Sequence, residues 1–118
     1  PVCPPPEDPP GDEGSMECQQ LELELSDLSD QLDATNAEIG RLLLLRDFWQ
    51  GLLDAEIARR DALQNANQTV PDGVFVAIEA YGNNVTQVGA DLAAQAFQLI
   101  SLTAQWSYAW LCYDLADC

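Results

Sequence analysis

Proline is confined to the two places where a long helix could begin. Six of the seven prolines lie in residues 1–14 (PVCPPPEDPPGDEG), and the seventh is Pro71. Proline has no amide hydrogen to give a helix interior, and its ring clashes with the preceding turn. The leader is therefore expected to be extended, near polyproline II, with Cys3 tying it down. Beyond it, two long proline-free stretches carry apolar residues at helical spacing.

Ser15 is placed to cap the first of these, and Glu17 lies in its first turn, where a negative charge suits the helix dipole. Leu21, Leu25, Leu28 and Leu32 alternate steps of four and three, and Ile39 and Leu42 keep the register. The pattern predicts a helix over about residues 15–68, on the order of 80 Å long at 1.5 Å per residue. Residues 69–73 form the turn, with Asp72 able to cap a second helix. Val74, Ile78, Tyr81, Val85, Val88 and Leu92 then repeat at the same spacing, as do Leu99, Leu102, Trp106, Ala109 and Tyr113. A short strand over Val74–Ile78 with a turn at Gly82-Asn83-Asn84 is the local alternative. The unbroken heptad favours a helix over about 74–116, bent at Gly82.

Two long helices and a short turn make an all-α fold. It is a long, coiled-coil-like antiparallel hairpin over residues 15–118, behind the extended leader. A turn centred near residue 71 sets Trp49 opposite Ala93 and Ala94, Trp106 opposite Asn36, and Cys112 opposite about residue 30. Large residues then mostly meet small ones, as close packing requires.

The four cysteines, Cys3, Cys18, Cys112 and Cys118, sit near the two termini. They read as a disulfide framework stapling the open end of the hairpin, and so as an oxidising, extracellular or cell-surface location. An extended leader can bring Cys3 back to Cys112, which favours Cys3–Cys112 with Cys18–Cys118 over Cys3–Cys118 with Cys18–Cys112. An intermolecular bond through Cys3 stays open. The start at Pro1 rather than methionine fits removal of a signal peptide. Asn67-Gln-Thr69 and Asn84-Val-Thr86 are sequons, which makes Asn67 and Asn84 candidate glycosylation sites.

Charge narrows the function. The chain has 20 acidic and 4 basic residues, no lysine and no histidine, for a net charge of −16. A polyanion gains nothing from meeting nucleic acid or an anionic membrane surface. The uncharged stretch from Leu92 to Tyr113 is broken every few residues by glutamine, serine or threonine, so no membrane span is expected. The paired cysteine spacings of a metal site are missing. The acids Glu22, Glu24, Asp27, Asp30 and Asp33 lie on a helix rather than in a compact calcium loop. With no nucleophile beside a base, neither enzymatic activity nor a cofactor is expected. The lysine-free, acid-rich surface would also suit a high-salt habitat.

The first helix is apolar over too much of its circumference for one partner. Leu42, Leu44, Leu45, Phe48, Trp49, Leu52 and Leu53 cover about half of it at 100° per residue. Beside them runs a seam of mostly small residues: Ala37, Gly40, Leu44, Gly51, Ala55, Ala58 and Ala62. Each glycine costs a helix about 1 kcal/mol relative to alanine, and close approach of another helix is a reason to keep them. A helix without a charged face, such as Leu92–Tyr113, is normally buried all round.

The expected partner is therefore another copy of the chain, in a homo-oligomer and more specifically a helical polymer. Its interface is assigned to Gly40, Leu44, Phe48, Trp49, Gly51 and Ala55 on the first helix. On the second it takes Ala93, Phe97, Ile100, Trp106 and Trp110. The first 33 residues hold ten acids and no base, whereas the arginines are Arg41, Arg46, Arg59 and Arg60. Staggered neighbours could bring these regions together. The function expected is that of a secreted structural protein, the self-assembling subunit of an extracellular filament, pilus-like fibre or sheath.

A resemblance supplies the alternative. Trp49-Gln50-Gly51 resembles the W-x-G of small secreted helical-hairpin proteins of the WXG100 type, and Tyr113-Asp-Leu-Ala-Asp117 is similar to their Y-x-x-x-D/E tail signal. It implies a secreted binding module or effector acting as a closed homo- or heterodimer. In that family the W-x-G lies at the hairpin turn, whereas here it precedes the expected turn by about twenty residues.

Overall fold

The computed structural model describes Cys3 and residues 16–116. Two helices account for nearly all of this: α1, Met16–Asn65, and α2, Asp72–Leu115. No strand occurs among the described residues, and the segment around Gly82 is helical. The fold is the antiparallel two-helix hairpin that the heptads imply. Apart from Cys3, the leader over 1–14 lies outside the described residues.

The turn closes earlier than the sequence suggests. α1 ends at Asn65, and Asn67 takes a left-handed conformation with φ of 57°. The Gln68 amide donates to the Leu63 carbonyl at 2.9 Å, and the Asn67 amide donates to the Gln64 carbonyl at 3.0 Å. These are the two bonds of a Schellman cap, with Asn67 as the left-handed residue, and they answer carbonyls that a helix end leaves open. On the other side, the Val74 amide donates to the Pro71 carbonyl at 3.0 Å. Asp72 is thus already inside the first turn of α2, where its charge suits the dipole.

The chain forms two compact units, residues 1–37 with 96–118, and residues 38–95. In the first unit, Leu25, Leu28, Leu102 and Ala109 make one buried cluster, with Leu32, Trp106 and Tyr113 packed against it. Leu21, Cys112 and Ala116 make another, joined by Cys3, Tyr108 and Tyr113. The Tyr113 hydroxyl lies 3.2 Å from Glu22 Oε1, to which it donates. Cys3 is bonded to Cys112 within the chain, with 5.3 Å between Cα atoms. Cys18 is buried and also disulfide-bonded. The expected partner Cys118 lies outside the described residues.

In the second unit Leu42, Val74 and Val88 are buried. The rings of Trp49 and Tyr81 lie 5.9 Å apart across the helix pair. Arg41, on α1, feels the charge of Asp91 on α2.

These contacts correct the expected register. Cys112 packs beside Leu21 rather than opposite residue 30, and Trp49 meets Tyr81, while Ala93 and Ala94 are exposed. The displacement is nine positions at Cys112 and at least twelve at Trp49, so the chain folds back about an earlier point than residue 71. Helical periodicity assigns each residue a face and leaves open which axial register the two helices take. The Schellman cap at Asn67 decides the register by ending α1 early. The corrected register also shortens the path by which the leader delivers Cys3 to Cys112.

Candidate functional site: the outward apolar faces

The hairpin seam leaves much of the apolar content unused. Leu44 is 74% exposed, in contrast to the buried Leu42 two residues earlier, and Phe48 is also exposed. Ala37, Gly40, Gly51, Ala55, Ala58 and Ala62 are exposed as well. At 100° per residue these positions share a stripe roughly 150° round the helix from Leu21, Leu28 and Leu42. The small-residue seam therefore faces away from α2.

Its glycines bear out that direction. A Cβ added at Gly40 or at Gly51 would meet nothing within 4 Å. No close approach within the hairpin explains either residue.

α2 carries a corresponding face. Phe97 is 74% exposed, Ile100 66% and Leu115 69%, with Leu111 about half exposed. Ala93 and Ala104 are exposed between them. This face lies roughly 160° round the helix from the buried Leu102 and Ala109. Leu23, Phe75 and Val76 add further exposed apolar surface.

The tryptophans assigned to the interface are placed differently from their neighbours. Trp49 is half-buried and stacked near Tyr81, with Phe48 edge-on to it at 5.1 Å. Trp106 is half-buried against the Leu25–Leu28 cluster. Trp110 is exposed and makes edge-to-face contacts with Trp106 and Tyr113. Trp106 also lines an open groove with Ser29, Leu32, Asp33, Asn36, Leu99 and Thr103.

The arginines are largely answered on their own helix. Arg41 Nε donates to Glu38 Oε2 at 2.9 Å. That hydrogen bond holds the Glu38 carboxyl below the usual glutamate range and raises the Arg41 guanidinium. Arg60 pairs with Asp61 at 3.1 Å, and Arg46 lies 3.9 Å from Asp47. All are exposed pairs of neighbours in sequence, and such pairs contribute little. Only Arg59 makes no ion pair among the described residues.

Asn67 is exposed in the turn, the setting in which a sequon is accessible, whereas Asn84 is half-buried within α2. Among the described residues, no helix is long and apolar enough to cross a membrane. No group of three or more histidine, cysteine or acidic side chains among them could hold a metal ion. Trp49-Gln50-Gly51 lies inside α1, well before the turn. No family model, no curated protein and no solved structure matches the chain.

Proposed function

We propose that this protein is a structural subunit that assembles with copies of itself into an extracellular filament, pilus-like fibre or sheath. The observation that carries the reading is the pair of apolar faces, on α1 and on α2, turned away from the hairpin seam. Soluble monomers seldom keep contiguous apolar patches beyond a few hundred Å² in water. Covering them with further helices stabilises the molecule at about 25 cal/mol per Å² of apolar surface removed.

The disulfide-bonded Cys3, Cys18 and Cys112 support an oxidising compartment. The acid-rich remainder of the surface keeps such an assembly hydrated. Arg41, Arg46 and Arg60 already have acidic neighbours on their own helix, which favours apolar packing over charge stagger as the driving term.

Electron microscopy of the purified full-length protein tests the reading. Fibres of uniform width are expected. Discrete particles of fixed size would replace the filament with a closed oligomer, such as the effector-like dimer, and single chains throughout would remove self-assembly altogether.

A further inference from the structure

We propose that the outward face of α1 in one copy is covered by the outward face of α2 in the next. The inference rests on the self-assembly reading and specifies its contact. Along α1 the face reads Gly40, Leu44, Phe48, Gly51, Ala55, Ala58, and along α2 it reads Gly89, Ala93, Phe97, Ile100, Ala104, Ser107. The steps between successive residues are identical in the two series, so the faces match in pitch.

Size alternation then fixes the direction. With the helices antiparallel and Ala55 level with Ile100, Ala58 meets Phe97, Gly51 meets Ala104 and Phe48 meets Ser107. At the far end Gly40 meets Leu115. Large side chains fall on small ones at four of these five levels, Gly51 with Ala104 is a small pair that lets the backbones approach, and Leu44 with Leu111 is the one large pair. A parallel alignment that sets Phe97 on Ala55 and Ile100 on Ala58 carries Leu111 and Leu115 past Asn65, where α1 ends. Those two exposed leucines would then stay uncovered.

Charge selects α2 over a second α1 as the occupant. Asp47, Asp54 and Asp61 recur at heptad spacing along one edge of the α1 face, all exposed. Two α1 faces laid antiparallel share that edge and set carboxylates against carboxylates, which is destabilising. α2 has no charged residue between Asp91 and Asp114. It can therefore lie against that edge without opposing charge, in a chain whose net charge of −16 disfavours approach through its acidic surfaces.

Because the two faces differ, the contact is heterologous. Each pairing leaves one unused α1 face and one unused α2 face, and the same contact repeats.

Two face-blocking variants, Gly51→Glu and Ile100→Glu, test this by sedimentation velocity of the full chain. The wild type is expected to run as a large species and each variant alone as a single chain. An equimolar mixture should give a heterodimer that grows no further, because one good α1 face and one good α2 face remain. An Ile100→Glu protein that dimerises alone would place α1 on α1, and a Gly51→Glu protein that dimerises alone would place α2 on α2. Either result overturns this contact and leaves self-assembly standing. Variants that assemble like the wild type would show that neither face is used. A wild type that stays a single chain sinks this contact and the self-assembly reading together. Circular dichroism checks that each variant is helical, and Ala58→Glu with Ala104→Glu repeats the test at neighbouring exposed positions.

Discussion

Replacing Gly40 and Gly51 together by alanine should stabilise the isolated hairpin. Both sit inside α1, and a Cβ at either site meets no atom within 4 Å. The change therefore reads helix propensity with no steric term, at about 1 kcal/mol per site. The sites are about 16 Å apart at 1.5 Å per residue, far enough for the two effects to add to about 2 kcal/mol. For a chain of this size that raises the melting temperature by roughly 8 °C. Thermal and urea denaturation should be followed by circular dichroism at a dilution where subunits are separate. Unchanged or lower stability would refute the claim that these glycines face open solvent in the single chain. Gly51→Leu separates folding from assembly, since leucine is also a good helix former yet fills the seam. It should keep most of the gain in the hairpin and weaken association, and undiminished association would remove Gly51 from the contact.

Other expected outcomes rest on particular residues. Replacing Cys3 and Cys112 together by serine should cost about 2–4 kcal/mol in urea denaturation, because the bond closes a loop across 109 positions. Unaltered stability would mean that the bond constrains nothing. Leu42→Ala, at a position only 2% exposed, should cost the hairpin about 2–4 kcal/mol. Leu44→Ala should leave hairpin stability nearly unchanged while weakening assembly, and equal costs at the two positions would contradict the assigned faces. Asn67→Ala should cost about 1 kcal/mol and Asn67→Gly almost nothing, given the φ of 57°. Similar results for both would argue against the left-handed cap.

The helices, their buried seam and the Cys3–Cys112 bond were all legible in the sequence. Leu21, Leu25, Leu28, Leu42, Val74, Val88, Leu102 and Ala109 lie where their heptads put them, and each is buried. The axial register was not legible, because periodicity assigns each residue a face but not the level at which the two helices meet. It was set instead by the hydrogen bonds of Leu63 and Gln64 to the residues around Asn67. A left-handed asparagine after a run of helix was the available signal, and the apolar pattern near it obscured where α1 ends. The small-residue seam was visible as a pattern, but its direction depended on which azimuth α2 occupies. Trp49 and Trp106 show the same dependence, since the pattern set them both opposite the partner helix and in the assembly interface, and in the structure they are half-buried within the hairpin.

The most direct measurement is the mass of the full-length chain by sedimentation equilibrium across a wide concentration range, at low and at high salt. Apolar faces that close against one another predict a mass that rises with concentration. Because each copy carries a net charge of −16, the rise should be steeper at high salt, where repulsion is screened. A constant 12.9 kDa at every concentration and salt level would show that the exposed leucines and phenylalanines of α1 and α2 need no cover.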